Sequence, residues 1–356
     1  MPNPNLIPLS LYIHIPWCVK KCPYCDFNSH ESRTPIDFVG YVDALLDDLK
    51  TQLSFVQGRK IATIFIGGGT PSLLPIAQYR QLFAGINAQL TLTHDCEITM
   101  EANPATVEHA PFHEYLAVGI NRLSLGVQSF QTQKLAALGR IHNPQQALLA
   151  IVNAQQAGFK KLNVDLMHGL PNQTLTDALS DLQQAIDLGV SHISWYQLTI
   201  EPNTVFYRNT PILPDDEILV DIFEQGAQLL KANGFVQYEV SAWSRQADFQ
   251  PSQHNLNYWQ FGDYLAIGAG AHGKVTRPDG IYRFSKSRLP KDYRVNQSAI
   301  GWQAIEPSDL PFEFMMNGLR LKNGVPKQFW TQRTGLAWSV IEPQLIKLHN
   351  RGLVEL

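Results

Sequence analysis

The stretch Leu11-Tyr12-Ile13-His14-Ile15-Pro16-Trp17-Cys18-Val19-Lys20-Lys21-Cys22-Pro23-Tyr24-Cys25-Asp26-Phe27 decides how the chain is read. It holds three of the four cysteines of the protein, within eight residues and separated by three and then two positions. Thiolates are the ligands of iron-sulfur clusters, and three on one tight loop can hold three irons of a [4Fe-4S] cube while the fourth iron has no protein ligand. A zinc site is the rival reading, and it wants a fourth ligand, for which His14 or His30 would serve. Lys20, Lys21 and Pro23 predict an exposed, electropositive loop with lowered thiol pKa values. A strand-like run over residues 9–15 leads into the loop, so the cysteines are expected at the carboxyl end of a first strand.

Working outward, the pattern repeats. Short apolar, β-branched runs at residues 61–66, 97–102, 122–127, 162–167 and 193–199 predict further strands. Helical spacing of apolar residues predicts helices over 37–53, 76–90, 109–118, 144–157, 175–188 and 218–233. The strands read as mostly apolar rather than alternating, which predicts an α/β fold with parallel strands buried on both faces. A curled, barrel-like sheet is the natural form, with a doubly wound open sheet as the alternative. Residues 18–25, 67–72, 101–104, 128–130 and 165–171, with Gln197, all fall at or just after strand ends, so one barrel mouth would gather them.

Three regions are expected: a core barrel over 1–235, a barrel-covering segment over 236–307, and a small helical domain over 308–356. Within the second, residues 246–264 are polar and aromatic without periodicity and read as an ordered loop over the mouth. The third carries helix patterns from 308, over 326–334 and over 340–351, then a last strand at 353–356, an order resembling a winged helix. From residue 311 onward it has six basic residues against three acidic. That excess is slight and points to a protein contact rather than nucleic acid.

Composition narrows the function classes. The 356 residues are 44% hydrophobic and 17% charged with a net charge of -3, and no long block of one sign marks a dedicated nucleic-acid binder. No apolar run approaches the length of a membrane span, so no integral membrane segment is expected. The first residues lack a basic region followed by an apolar one, and a cytoplasmic location is expected. Four thiols, three of them crowded, suit metal binding in a reducing compartment and not a disulfide framework. Cys96, in an apolar run, reads as a buried small hydrophobe.

Gly67-Gly68-Gly69-Thr70-Pro71-Ser72 follows the second strand. Alone, it fits a ligand-contacting loop or a common turn equally well. Paired with an early Cys-x3-Cys-x2-Cys that has an aromatic, Tyr24, before its third cysteine, it resembles the radical S-adenosylmethionine (SAM) enzymes. That resemblance implies a partial (β/α)6 radical SAM barrel. It also implies a cluster whose open iron is chelated by the amino and carboxylate groups of SAM, and a glycine loop on the methionyl amino group. Further motifs are similar to one branch, the family shared by oxygen-independent coproporphyrinogen III oxidase and the HemW heme chaperones. They are Tyr12 in Tyr-Ile-His-Ile-Pro; Glu101 with Asn103-Pro104; residues 122–130, ending Gln128-Ser129-Phe130; Leu138-Gly139-Arg140-Ile141-His142; and residues 165–171, beginning with Asp165. By resemblance Tyr12, Tyr24, Gly68, Gly69, Thr70, Glu101, Gln128, Arg140 and Asp165 line the SAM site. Taken singly, Glu101 and Asp165 could be turn caps and Arg140 a surface ion pair.

Within that family the chain departs from the oxidase pattern. Phe27 stands where the oxidase has a further cysteine, and the first cluster cysteine comes early, at residue 18. His254-Asn255-Leu256-Asn257-Tyr258-Trp259 matches the His-Asn-x-x-Tyr-Trp signature of the chaperone side, which is implicated in heme binding. His254, Tyr258 and Trp259 are thus the heme-binding candidates, since imidazole ligates heme iron and aromatic rings stack on porphyrin; packing within an ordered loop is the plainer alternative. The resemblance implies a heme chaperone in porphyrin metabolism that binds a [4Fe-4S] cluster and SAM. Its partners would be heme, heme-acceptor proteins such as respiratory cytochromes, and an electron donor. Coproporphyrinogen III oxidation is the enzymatic alternative, and RNA modification rests only on the winged-helix-like pattern. Monomer or homodimer is left open.

Overall fold

The computed structural model describes residues 2–32, 34–105, 110–297 and 300–355. Six strands alternate with helices as expected: Leu9–Ile15 (β1), Ile61–Gly68 (β2), Leu92–Ala102 (β3), Arg122–Gln128 (β4), Lys161–His168 (β5) and His192–Gln197 (β6) lie side by side and parallel. The helices between them are Phe38–Gln52 (α1), Ile76–Gln89 (α2), Phe112–Ala117 (α3), Thr132–Ala137 (α4), Pro144–Gln156 (α5) and Leu175–Asp187 (α6). His109, the expected start of the third helix, lies outside the described residues. Local chemistry fixes several starts: Asn143 and Thr174 form capping boxes with Gln146 and Asp177. After β6 come Val205–Arg208 (α7) and Asp216–Ala232 (α8).

The two faces of the sheet differ, and this corrects the sequence expectation of apolar residues on both. Leu9, Leu11, Ile13 and Ile15 are at most 1% exposed in the core shared with the helices. The alternate residues of β1 are Ser10, Tyr12 and His14. Successive side chains of a strand point to opposite faces, so the inner face is polar: Thr63, Thr99, Glu101, Ser124, Asn163, Asp165, His192 and Ser194 extend it across β2 to β6. Most of these residues line a chamber of about 210 Å³ that the curled sheet encloses.

The sheet is larger than expected. Phe235–Glu239 (β7) and Ala242–Arg245 (β8) continue it past β6 as an antiparallel hairpin. At the other side Asp263–Ile267 (β9) pairs in parallel with β1, and His272–Arg277 (β10), Gly280–Ser285 (β11) and Ile300–Ala304 (β12) follow it antiparallel. The strand order leaves β12 and β7 as edges, so the barrel is partial.

Residues 246–264 do not cover the mouth as a loop. Gln253–Trp259 forms a helix (α9) under the amino-terminal ends of the strands. Its partners there are Glu97, which accepts from the Gln253 amide at 2.8 Å, Thr63, 2.7 Å from His254, and Ser10, 2.8 Å from Asn257. The segment is the floor of the barrel, opposite the cysteine loop. Beyond Pro290–Val295 (α10), the helices Leu310–Gly318 (α11), Lys327–Thr334 (α12) and Glu342–Asn350 (α13) build a second small core on Phe261, Phe314 and Trp330. No strand occurs among the described residues of 308–355, so the appendage is helical without the wing; Leu356 lies outside the described residues.

Candidate functional site

The cysteine loop is held by backbone at its neck. The His30 amide donates to Pro16 O at 2.7 Å and the Ser32 amide to Cys18 O at 3.2 Å. Lys21 spends its ammonium inside the loop, on Phe27 O at 2.9 Å and Ser29 O at 3.3 Å. All three thiols are half-buried and rim a cavity of about 510 Å³ at the carboxyl end of the strands, within the size range of cofactor sites. Burial pushes the Cys18 and Cys25 thiols up, against the lowering effect of Thr70 and Ser29 on Cys18 and of the Phe27 backbone on Cys25. The expected electropositive lowering is thereby corrected: Lys21 does act on Cys25, but desolvation outweighs it.

The two imidazoles nearest in sequence to the cysteines are otherwise engaged. His14 Nε2 lies 2.8 Å from Asn28 O and so donates to it, which leaves Nδ1 to accept from the Tyr12 hydroxyl at 2.9 Å. Burial pulls the His14 pKa to about 4, consistent with a neutral ring. His30 Nε2 lies 3.1 Å from Arg288 O. Among the described residues no three His, Cys, Asp or Glu side chains are grouped closely enough for a single metal ion. Tyr12, expected at the SAM site, does not line the cavity; it acts through His14 on the loop. Asn28 in turn donates to Ala269 O and Arg288 O, each at 2.9 Å, binding the loop to the chain after β9.

The glycine run serves close approach. Gly68 has φ +114°, and a Cβ there would fall 2.6–2.8 Å from the His14 ring. A Cβ on Gly69 would lie 2.5 Å from Trp17 O. The amides of Gly69 and Thr70 donate to Ile15 O at 2.8 Å and Trp17 O at 2.7 Å, so β2 extends its pairing along the entry to the cysteine loop.

Around the rest of the rim stand two carboxyls, an amide and a guanidinium. Glu101 accepts from the Gly68 amide at 3.2 Å, while burial, and then Asp165, raise its pKa to about 8. Asp165 accepts from Asn163 Nδ2 at 2.7 Å and Ser124 Oγ at 3.0 Å, and burial raises it too. Gln128 sits at φ +69° where the β4–β5 ladder slips, and its Oε1 accepts from the Tyr196 hydroxyl at 2.8 Å. A bulge of this kind re-aims a side chain. Asp181 fixes the turn, accepting from Ser129 Oγ at 2.7 Å and the Phe130 amide at 2.8 Å. Arg140 donates from Nη2 to Gly126 O at 2.6 Å and sets Nη1 3.7 Å from Cys22 Sγ. Its Nε is buried without a partner among the described residues.

Cys18, Cys22, Cys25, Tyr24, Gly68, Gly69, Thr70, Glu101, Gln128, Arg140, Asp165 and Gln197 thus meet in one cavity. Sequence reasoning missed Tyr196, Ser29 and Glu201 on its wall; Tyr196 is the neighbour of Gln197 inside the strand expected over 193–199, which was the available signal. The donor set fits the implied groups. Half-buried thiols surround room for a cluster, and two carboxyls whose pKa burial raises would be drawn back toward their charged form by a cationic ligand.

His254, Tyr258 and Trp259 are not brought to this mouth. His254 is fully buried on the floor, with Nδ1 2.7 Å from Thr63 Oγ1 and Nε2 2.7 Å from the Tyr258 hydroxyl, and burial pulls its pKa to about 3. The Arg320 guanidinium of the helical appendage lies 4.2 Å from the Trp259 ring centre, and the Trp259 Nε1 is buried without a partner among the described residues.

The model of the Radical SAM superfamily matches residues 12–185, and that of the HemN C-terminal domain matches residues 305–356. The heme chaperone HemW of Escherichia coli is 55% identical over 318 residues, covering 89% of this chain and 84% of that protein. This chain belongs to the HemW family. The heme chaperone HemW of Haemophilus influenzae is 54% identical over 327 residues, covering 90% of this chain and 85% of that protein. The solved coproporphyrinogen III oxidase (HemN) of Escherichia coli superposes with a TM-score of 0.82 over 98% of this chain and 85% of that one, at 23% identity. At that identity the likeness is one of fold, which this chain and the oxidase share. Among the described residues no helix is long and apolar enough to cross a membrane.

Proposed function

We propose that this protein is a heme chaperone that holds a [4Fe-4S] cluster on Cys18, Cys22 and Cys25, binds SAM at the mouth, and hands heme to acceptor proteins such as respiratory cytochromes in the cytoplasm. The observation that carries the reading is the 55% identity to a heme chaperone across 89% of the chain. The cluster, when bound, supplies an iron that can chelate the amino acid end of SAM and an electron from a separate donor. The protein's own residues do the rest. Gly68, Gly69 and Thr70 present backbone, Glu101 and Asp165 take the positive charge and hydroxyls, Gln128 and Arg140 donate, and Tyr24 closes the side beside Cys25.

Heme is assigned to the floor, on His254, Tyr258 and Trp259. Ligation through His254 requires its Nε2 to leave the Tyr258 hydroxyl and, because the ring is fully buried and held to Thr63 of β2, the heme-competent state also has α9 loosened from the barrel. Coproporphyrinogen oxidation has the shared fold in its favour. Against it, Phe27 is 61% exposed on the cavity rim at the place of the oxidase's further cysteine.

Anaerobic reconstitution followed by hemin titration tests the reading. A Soret band that saturates, and transfer of that heme to an apocytochrome, are expected. Formation of protoporphyrinogen from coproporphyrinogen, with SAM consumed in proportion, would overturn it.

A further inference from the structure

A hydrogen-bonded chain, branched at Asn163 to Ser124 and Ser194, runs from the mouth to the floor through the polar inner face of the sheet. Its members are Asp165, Asn163, His192, Tyr238 and Ser252, drawn from β5, β6, β7 and the residue that caps α9. Asn163 Nδ2 donates to Asp165 Oδ1 at 2.7 Å. Asn163 Oδ1 lies 2.6 Å from His192 Nδ1, His192 Nε2 lies 2.8 Å from the Tyr238 hydroxyl, and that hydroxyl oxygen accepts from the Ser252 amide at 3.1 Å.

The polarity of every link is determined. An amide oxygen can only accept, so His192 Nδ1 carries the proton and Nε2 accepts. Tyr238 must then donate its proton to Nε2, which leaves its lone pairs for the Ser252 amide. Burial holds His192 well below its ordinary pKa, in keeping with a ring that has one proton. All donors point toward Asp165, and hydrogen bonds aligned in this way polarise one another in a low-dielectric interior. Asn163, His192, Tyr238 and Ser252 are each at most 6% exposed, so the chain runs through the interior and not over the surface. At its far end Ser252 also caps α9, accepting at Oγ from the Asn255 amide at 3.3 Å.

We propose that His192 is a positioning residue that couples the two ends of the barrel, so that occupancy of Asp165 at the mouth and release of α9 at the floor are linked equilibria. The inference rests on the reading above, with SAM at the mouth and heme at the floor. A ligand that competes for Asp165, or that fixes its charge, changes the grip of Asp165 on Asn163, and the change reaches the cap of α9 through His192 and Tyr238. Reciprocity follows: heme binding alters SAM affinity by the same factor.

The test uses cluster-reconstituted protein and measures hemin affinity with and without SAM, and SAM affinity with and without hemin. In the wild type each ligand is expected to change the other's Kd by about fivefold or more. Tyr238→Phe removes one oxygen of the chain and His192→Phe removes two links; both are expected to bring the factor to within about twofold while each ligand alone still binds. Where His192→Phe does not fold, Tyr238→Phe decides. A purely structural role would weaken both affinities and leave their coupling unchanged, and that result overturns the proposal. So does a wild type that binds both ligands independently. A wild type that binds no hemin, or no SAM, defeats the functional reading itself and this inference with it.

Discussion

Arg140 reaches from the turn after α4 to within 3.7 Å of the Cys22 sulfur while its other terminal nitrogen donates to Gly126 O at 2.6 Å. One planar fork therefore joins the cysteine loop to the end of β4. A lysine keeps the charge but offers a single point, so it cannot make both contacts and reach a ligand as well. Arg140→Lys is expected to weaken SAM binding by about 10- to 100-fold, the range for losing a charge-assisted hydrogen bond, and to retain the visible absorbance of the cluster. Equilibrium dialysis against SAM reads the first, and unchanged affinity would place Arg140 outside the ligand's reach.

The thiols separate cleanly by environment. Cys18, Cys22 and Cys25 are half-buried at the rim, whereas Cys96 is buried in the core with its thiol pushed up to about 12. Serine at any of the first three is expected to abolish the cluster's visible absorbance and its bound iron. Cys96→Ala is expected to leave both intact at a stability cost of about 1 kcal/mol.

Two glycines with positive φ provide an internal comparison. Gly58, at φ +76°, has nothing within 4 Å of an added Cβ, whereas Gly68, at φ +114°, would press on the His14 ring. Alanine at 58 is expected to cost about 1 kcal/mol from backbone strain alone, and alanine at 68 about 2 kcal/mol more from the clash together with a φ further from the left-handed helical region. Urea denaturation of the two variants gives the difference directly; equal costs would mean that the His14 ring moves aside freely.

Much of this was legible beforehand. The cysteine loop, the glycine run and the carboxyl positions could be placed at strand ends because each is local to its strand. The polar inner face is legible too: Leu9-Ser10-Leu11-Tyr12-Ile13-His14-Ile15 alternates strictly, although its apolar half dominates a reading by average hydrophobicity. The floor was not legible. His254 meets Thr63 across 191 positions and Asn257 meets Ser10 across 247, and no local pattern encodes such a partner. The strand expected at 353–356 is absent among the described residues for a similar reason, since a strand needs a partner and the local sequence does not show whether one lies beside it.

Glu101 gives a pH dependence with a defined sign. Its folded-state pKa of about 8 lies above the ordinary 4.5. The unfolded chain therefore loses that proton first, and the contribution to stability, present below the ordinary carboxyl range, is lost as pH rises to about 8. Glu101→Gln cannot ionise, so its stability relative to wild type is expected to rise across that window, by at most about 1.4 kcal/mol per pH unit, and then level. Denaturation of cluster-free protein from roughly pH 5 to 9 checks it. A difference that does not change with pH would show that Glu101 is ionised in the folded protein.

At the floor, Tyr258→Phe frees His254 Nε2 from its partner at 2.7 Å. If His254 is the iron ligand, this variant binds hemin faster than wild type with the same Soret maximum, and His254→Ala shifts or loses the band. Stopped-flow mixing with hemin measures both. An unchanged spectrum in His254→Ala would remove that imidazole as ligand.

Asn28 is hydrogen-bonded to residues 241 and 260 positions further along the chain. The neighbours that shape the cysteine loop are therefore among the later parts of the protein to be synthesised. A nascent chain that has not yet reached Arg288 can form β1 to β6, but it cannot give the loop its final shape. The loop is therefore expected to be ready for iron and sulfur only once synthesis has passed Arg288, and a chain truncated before that residue is expected to load metal poorly however well its barrel strands have paired.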